Sequence, residues 1–269
     1  MPNKIACLQI DSIPGNKKAN LEKIALIIES IKDPAVRMAL FCECGTTGYC
    51  VDLDSLAEEI PGETIMFFEN VAKANNIWIS GGMVEKAQPG RPANTSFMIS
   101  PIKGLVAKYQ KIHLFSLEKN NFTAGETPIV VDTELGKVGM TICYDMVFPE
   151  LTRILVLQGA TLIINSTFWF TTPENKPMGW SHRQTLAMAK TRALENGIYF
   201  AMACRCGKEG DLEGIAHSCI VDPVGNLMAE AGINEEIITA PIDYGIMDSW
   251  HKMATYIPDR RPDIYKKYL

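Results

Sequence analysis

The chain has 269 residues, 47% hydrophobic and 21% charged, which is the make-up of one large globular domain, and no apolar run approaches the ~20 residues that span a bilayer. A net charge of −5 with scattered Lys and Arg argues against nucleic acid and leaves a small molecule as the expected partner. The opening alternation Ile5-Ala6-Cys7-Leu8-Gln9-Ile10 is too short and wrongly flanked for an export signal, so a cytoplasmic protein without membrane association is expected.

In chain order, the pattern predicts a strand at 4–10, a helix at 18–31, a strand at 38–42, a helix at 63–75 and strands at 77–82, 95–100, 104–109 and 137–142. A helix follows at 149–158, a strand at 161–165, a helix at 182–196 and strands at 198–204, 217–222 and 236–242. Asn196-Gly197 suits a left-handed cap on the fourth helix. Strands and helices interleave without a linker or repeat, so residues 1–269 read as a single α/β domain. Its end, 246–269, reads as a tail; from Trp250 onward it shows no periodicity and needs something to pack on. The eight cysteines (Cys7, Cys42, Cys44, Cys50, Cys143, Cys204, Cys206 and Cys219) lack the paired spacing of a disulfide framework and are expected as reduced thiols. Two Cys-x-Cys pairs, Cys42/Cys44 and Cys204/Cys206, sit in strand-like segments without the turn of a zinc knuckle, so no metal is expected.

Three segments carry candidate chemistry. In Gly139-Met140-Thr141-Ile142-Cys143-Tyr144-Asp145 an apolar strand ends on a cysteine, and Pro149 then opens a helix, a turn that lifts a side chain above the sheet and frees backbone N–H groups beside it. A nucleophile belongs there, although most cytosolic cysteines are buried thiols and position alone does not decide. In Leu40-Phe41-Cys42-Glu43-Cys44-Gly45 a carboxylate follows a strand, where it can serve as a general base or simply be solvated. In Tyr109-Gln110-Lys111-Ile112-His113-Leu114-Phe115 a lysine between apolar neighbours can present a fixed charge to an oxyanion or leave for the surface. His113 invites a Cys-His pair, but a satisfied structural histidine is the commoner case.

Taken in the order Glu, Lys, Cys, and joined by Arg192-Ala193-Leu194-Glu195-Asn196 and Ser218-Cys219-Ile220-Val221-Asp222-Pro223-Val224-Gly225-Asn226, these segments resemble the nitrilase superfamily of carbon-nitrogen hydrolases from Ile5 to about residue 245. The resemblance implies a four-layer α-β-β-α sandwich, a homodimer or higher oligomer onto whose partner subunit the tail crosses, and no cofactor. It implies Glu43 as general base, Lys111 as oxyanion stabiliser, Cys143 as the residue that forms a thioester, the Tyr144 N–H as second oxyanion donor and Glu118 as a substrate-positioning carboxylate. Cys42-Glu43-Cys44 departs from the family, which more often has Pro before the glutamate and a bulky apolar residue after it.

The expected substrate is a small amide: an aliphatic amide, an ω-amide or an N-carbamoyl amine. Tyr49, Phe168 and Trp169 are candidate pocket residues, with Phe168-Trp169-Phe170 equally able to fill a core or an interface. No arginine pair stands out as a carboxylate clamp, although Arg183 and Arg192 are available. A nitrilase, a thioester-dependent acyltransferase and a non-catalytic scaffold remain as alternatives.

Overall fold

The computed structural model describes residues 2–49, 52–116 and 118–268. Its first half runs β1 (Lys4–Gln9), α1 (Lys17–Ser30), β2 (Val36–Phe41), α2 (Leu53–Leu56), α3 (Glu63–Asn75), β3 (Trp78–Gln88), β4 (Arg91–Ser100), β5 (Gly104–Gln110) and a one-turn α4 (Glu118–Asn121). The second half opens with β6 (Val130–Thr133), β7 (Gly136–Ile142), a 3-10 turn at Cys143–Val147, α5 (Pro149–Leu157), β8 (Leu162–Thr167) and β9 (Phe170–Thr171). After a second 3-10 turn at Lys176–Met178 come α6 (His182–Leu194), β10 (Tyr199–Cys204), β11 (Lys208–Glu209), β12 (Leu212–Gly214), β13 (Cys219–Val221), β14 (Leu227–Glu230), β15 (Glu236–Pro241), α7 (Tyr244–Met253) and α8 (Pro262–Tyr265).

Two six-stranded sheets result, ordered β15-β1-β2-β3-β4-β5 and β14-β13-β10-β8-β7-β6. The period of two along β1 explains why they stack. Ile5 and Cys7 face the second sheet in one apolar core, while Ala6 and Leu8 face α1 and α3 in another. Ala189 and Ala193 of α6 and Leu151 and Leu155 of α5 close the far side. The order α1/α3, sheet, sheet, α5/α6 is the four-layer sandwich expected, and β15 ties the chain's end back to its first strand by antiparallel pairing.

Most strand and helix boundaries fall within a few residues of the sequence pattern, and Gly197 does adopt the left-handed conformation (φ 64°) after α6. β3 and β4 are longer than predicted, and the short strands β6 and β14 were not expected. The end of the chain corrects the reading of an unpatterned tail: α7 starts at Tyr244, capped by Asp243, whose carboxylate accepts from the Gly245 N–H at 2.8 Å. Only Met247 of that helix is buried, although Ile246, Met247, Trp250 and Met253 fall at helical spacing along it. His251 Nε2 lies 2.6 Å from the Gly197 carbonyl, so this segment docks in part on its own chain.

Cys42 and Cys44 stand in the turn beyond β2, and Cys206 beyond β10, instead of inside strands. Seven cysteines are buried and unbonded, and Cys50 lies outside the described residues. Among the described residues no helix is long and apolar enough to cross a membrane.

Candidate active site

Glu43 sits two residues past β2, where the chain turns with Cys44 at φ 46°. That turn lies flat against β3, because a Cβ on Gly82 would come within 2.4 Å of the Cys44 nitrogen and 2.7 Å of the Glu43 Cα. Glycine there lets the carboxylate reach the inter-sheet space. Glu43 is 1% exposed, and its oxygens are fully engaged: Oε1 accepts from Lys111 Nζ (2.6 Å) and Asn94 Nδ2 (2.7 Å), and Oε2 from the Phe168 N–H (3.0 Å).

Lys111 follows β5, and its carbonyl accepts from the Gly125 N–H at 2.9 Å. It is as buried as Glu43, and its ammonium also donates to both oxygens of Glu118 (2.9 and 2.8 Å). Burial works against its charge, but Glu43, the Cys143 sulfur and Glu118 outweigh it and hold the lysine protonated well above its ordinary value. Burial, helped by Glu43 and opposed by Lys111, raises the Glu118 carboxyl. Asn94, wholly buried in β4, bridges the two glutamates through Nδ2, 2.7 Å from Glu43 and 3.1 Å from Glu118, and its Oδ1 lies 3.8 Å from the Cys44 sulfur. The unusual Cys44 therefore buttresses Asn94 from behind and is not part of the cavity wall.

Cys143 is the first residue of the turn after β7 and is held at φ 43°, a left-handed conformation that costs a non-glycine residue about 1–2 kcal/mol. Asp145 makes that conformation persist. Wholly buried, it accepts from the Tyr109 hydroxyl (2.6 Å), the Ile142 N–H (3.0 Å) and the His113 N–H (2.9 Å), with His113 Nδ1 also 2.9 Å away. His113 stacks on Phe148 at 3.8 Å and is absent from the residues lining the cavity, so it orients the turn without facing the thiol. Burial and the Glu43 carboxylate push the Cys143 thiol well up, against the pull of Lys111. The balance favours the thiol over the thiolate. Tyr144, next in the turn, has its N–H among those a helix start leaves without an intrahelical acceptor.

Glu43, Lys111 and Cys143 share the floor of one cavity of about 470 Å³. Tyr49, Tyr144, Phe168 and Trp169 line it as well, joined by Phe115 and Phe170, and farther out by Val147, Met178, Trp180 and Met188. Tyr49 is set edge-on to Phe168 with ring centroids 5.7 Å apart, and its N–H donates to both Glu209 oxygens (3.0 Å each). Glu118 lies one layer back, reaching the floor through Lys111.

Neither sequence candidate for a carboxylate clamp is there. Arg192 is buried, donates to the Met146 and Val147 carbonyls and pairs with Glu195, while Arg183 is exposed. Asn94 and Asp145 were not anticipated as site residues. Tyr144-Asp145 follows the nucleophile candidate directly and offered a signal; an asparagine inside a strand offered none.

Beyond geometry, residues 4–252 match the family model for carbon-nitrogen hydrolases. The chain belongs to that family. This carbon-nitrogen hydrolase is 30% identical to the omega-amidase NIT3 of Saccharomyces cerevisiae, over 97% of its own length and 94% of the yeast protein. It is 32% identical to a probable nitrilase of Schizosaccharomyces pombe across 100% of this chain and 99% of that one. In fold it is similar to a carbon-nitrogen hydrolase from Helicobacter pylori G27, with a TM-score of 0.92, 24% identity and coverage of 99% and 98%. Membership in the nitrilase superfamily and its α/β sandwich follow, and the relatives support an enzyme acting on small amides.

Proposed function

We propose that the enzyme hydrolyses a small amide through a thioester on Cys143, releasing ammonia or an amine. The observation that carries this reading is the burial of Glu43 and Lys111, with Glu118 bonded behind them, at the floor of a cavity that also holds the Cys143 thiol. Removing such charges from water costs several kcal/mol each, and apolar residues would pack the same space more stably. A chemical role accounts for them.

Glu43 takes the thiol proton as Cys143 Sγ bonds to the amide carbonyl carbon. The oxygen that gains the electron pair meets the Lys111 ammonium and the Tyr144 N–H, donors already fixed before the reaction. The C–N bond breaks as Glu43 returns the proton to the leaving nitrogen. Water then enters, gives a proton to Glu43 and attacks the thioester, which frees the carboxylic acid and restores the thiol. Glu118 and Asn94 keep Glu43 and Lys111 aimed while the proton moves. The exposed Ile154, Leu157 and Leu194 on α5 and α6, together with Met253 and Tyr268 near the chain's end, fit a homodimer in which these surfaces meet a second copy, and the reduced thiols fit a cytoplasmic setting.

Ammonia release from matched amides and nitriles tests the reaction type. Donors set for a tetrahedral oxyanion should make kcat/KM for each amide at least about a hundredfold above that of its nitrile. Faster turnover of nitriles would move the enzyme to the activity named for the fission-yeast relative.

A further inference from the structure

The name of the yeast relative makes an ω-amide, whose far end is a carboxylate, the natural substrate to consider, yet the cavity has no charge to receive one. Among the described residues lining it, Lys111 is the sole cation, and its ammonium is committed to Glu43 and Glu118. The Lys111 ammonium faces two carboxylates, Glu43 on the floor and Glu118 behind it, so the floor presents no excess of positive charge. A substrate carboxylate entering this space loses its water and gains no counter-ion.

The two side-chain amides on the wall are equally unavailable, and its remaining polar groups are the hydroxyls of Tyr49 and Tyr144 and the indole N–H groups of Trp169 and Trp180, none of them a cation. Asn175 Oδ1 accepts from the Thr172 N–H at 2.8 Å, and the Gln184 amide is folded onto Ser181 N (3.0 Å) and Gly179 O (3.1 Å). Of the nearby cations, Lys176 is paired with Glu213 and Arg192 with Glu195. Arg205 lies over the Phe168 ring, 4.7 Å from its centroid, and is held there by Glu209 and the Ser12 carbonyl. What the wall offers instead is aromatic and thioether surface in a volume suited to an acyl group of several carbons or one ring.

We infer that this site takes a neutral amide with an apolar acyl group, aliphatic or aromatic, and discriminates against amides that carry a carboxylate at the far end. The inference rests on the amide-hydrolase reading above and adds its substrate class. Within a series of linear amides, each methylene added up to the cavity's capacity should raise kcat/KM by about fourfold.

The test compares ammonia release from 5-methylhexanamide, glutaramate and 3-phenylpropanamide at neutral pH. The first two differ in replacing an isopropyl end by a carboxylate of similar shape. Both neutral amides should exceed glutaramate in kcat/KM by at least a hundredfold. Met178, on the cavity rim and 83% exposed, accepts a long cation without disturbing the core. Met178→Arg should therefore narrow the ratio of 5-methylhexanamide to glutaramate at least tenfold. Equal or faster turnover of glutaramate by the wild-type enzyme, or a ratio that Met178→Arg leaves unmoved, would overturn the inference while leaving the amide-hydrolase reading intact. Ammonia from none of the three amides would overturn both.

Discussion

At the floor of the cavity and just behind it, both oxygens of Glu43, the Lys111 ammonium and both oxygens of Glu118 are engaged in hydrogen bonds, whereas the wall above is built from rings and thioethers with its two side-chain amides turned to their own backbone. The floor comes from loops of the first sheet joined by the turn after β7. Half of the wall comes from the segment between β8 and α6. Hydrogen bonds with narrow angular tolerance fix where a proton and a sulfur can be, so the floor admits few substitutions. Apolar contact is tolerant of shape, and the wall can change its substrate without disturbing the reaction.

Removing the proposed nucleophile should break the floor outright. Cys143→Ala is expected to lose turnover by at least about 10⁵-fold, since loss of a nucleophile in comparable triads costs on the order of 10⁶, while circular dichroism and thermal midpoint stay near wild type. Cys42→Ala and Cys204→Ala, buried packing thiols, should change stability by about 1 kcal/mol and retain activity. Full activity in Cys143→Ala would end the mechanism.

Asn94 tests whether the floor works as a unit. Asn94→Ala removes the donor shared by Glu43 and Glu118 and leaves both short of a partner, at a cost of about 1–3 kcal/mol in stability. We expect kcat to fall by about 10- to 100-fold with KM little changed, because the group positions the base without touching substrate. A variant that only lost stability, with kcat intact, would make Asn94 structural. Much of the candidate site was legible before the fold was known, in that Glu43, Lys111 and Cys143, which meet in one cavity, each close an apolar strand, a position where side chains emerge at the sheet's edge. Asn94 was not, because a polar residue one step before the predicted strand at 95–100 resembles a strand end, and only the observed start of β4 at Arg91 puts it in the interior. α7 escaped for a different reason: its apolar residues Ile246, Met247, Trp250 and Met253 are helically spaced but straddle Trp250, where the stretch read as unpatterned begins. The layers came from the family resemblance, since the alternation in β1 shows two buried faces but not what covers them.

A smaller effect concerns the thiol's protonation. Burial and Glu43 raise the Cys143 pKa, so the thiolate fraction is small at neutral pH and grows as pH rises past the ordinary cysteine value of 9.0. Alkylation by iodoacetamide in the absence of substrate should accelerate through that range without a plateau below pH 9. In Glu43→Gln one cause of the shift is gone, and the profile should move to lower pH. A plateau near pH 7 in the wild-type enzyme would mean a preformed thiolate and would remove the need for Glu43 at the first step.

In the proposed reaction, carbon-nitrogen cleavage passes through a covalent acyl group on Cys143. Rapid acid quenching during turnover of an amide such as 3-phenylpropanamide, followed by peptide mass spectrometry, measures it most directly. The expected result is an adduct equal in mass to the acyl group, confined to the peptide containing Cys143, that disappears as substrate is consumed and is absent from Cys143→Ala. Steady ammonia release with no acyl adduct on Cys143 at any quench time, under conditions where a synthetic thioester standard survives the same handling, would contradict it.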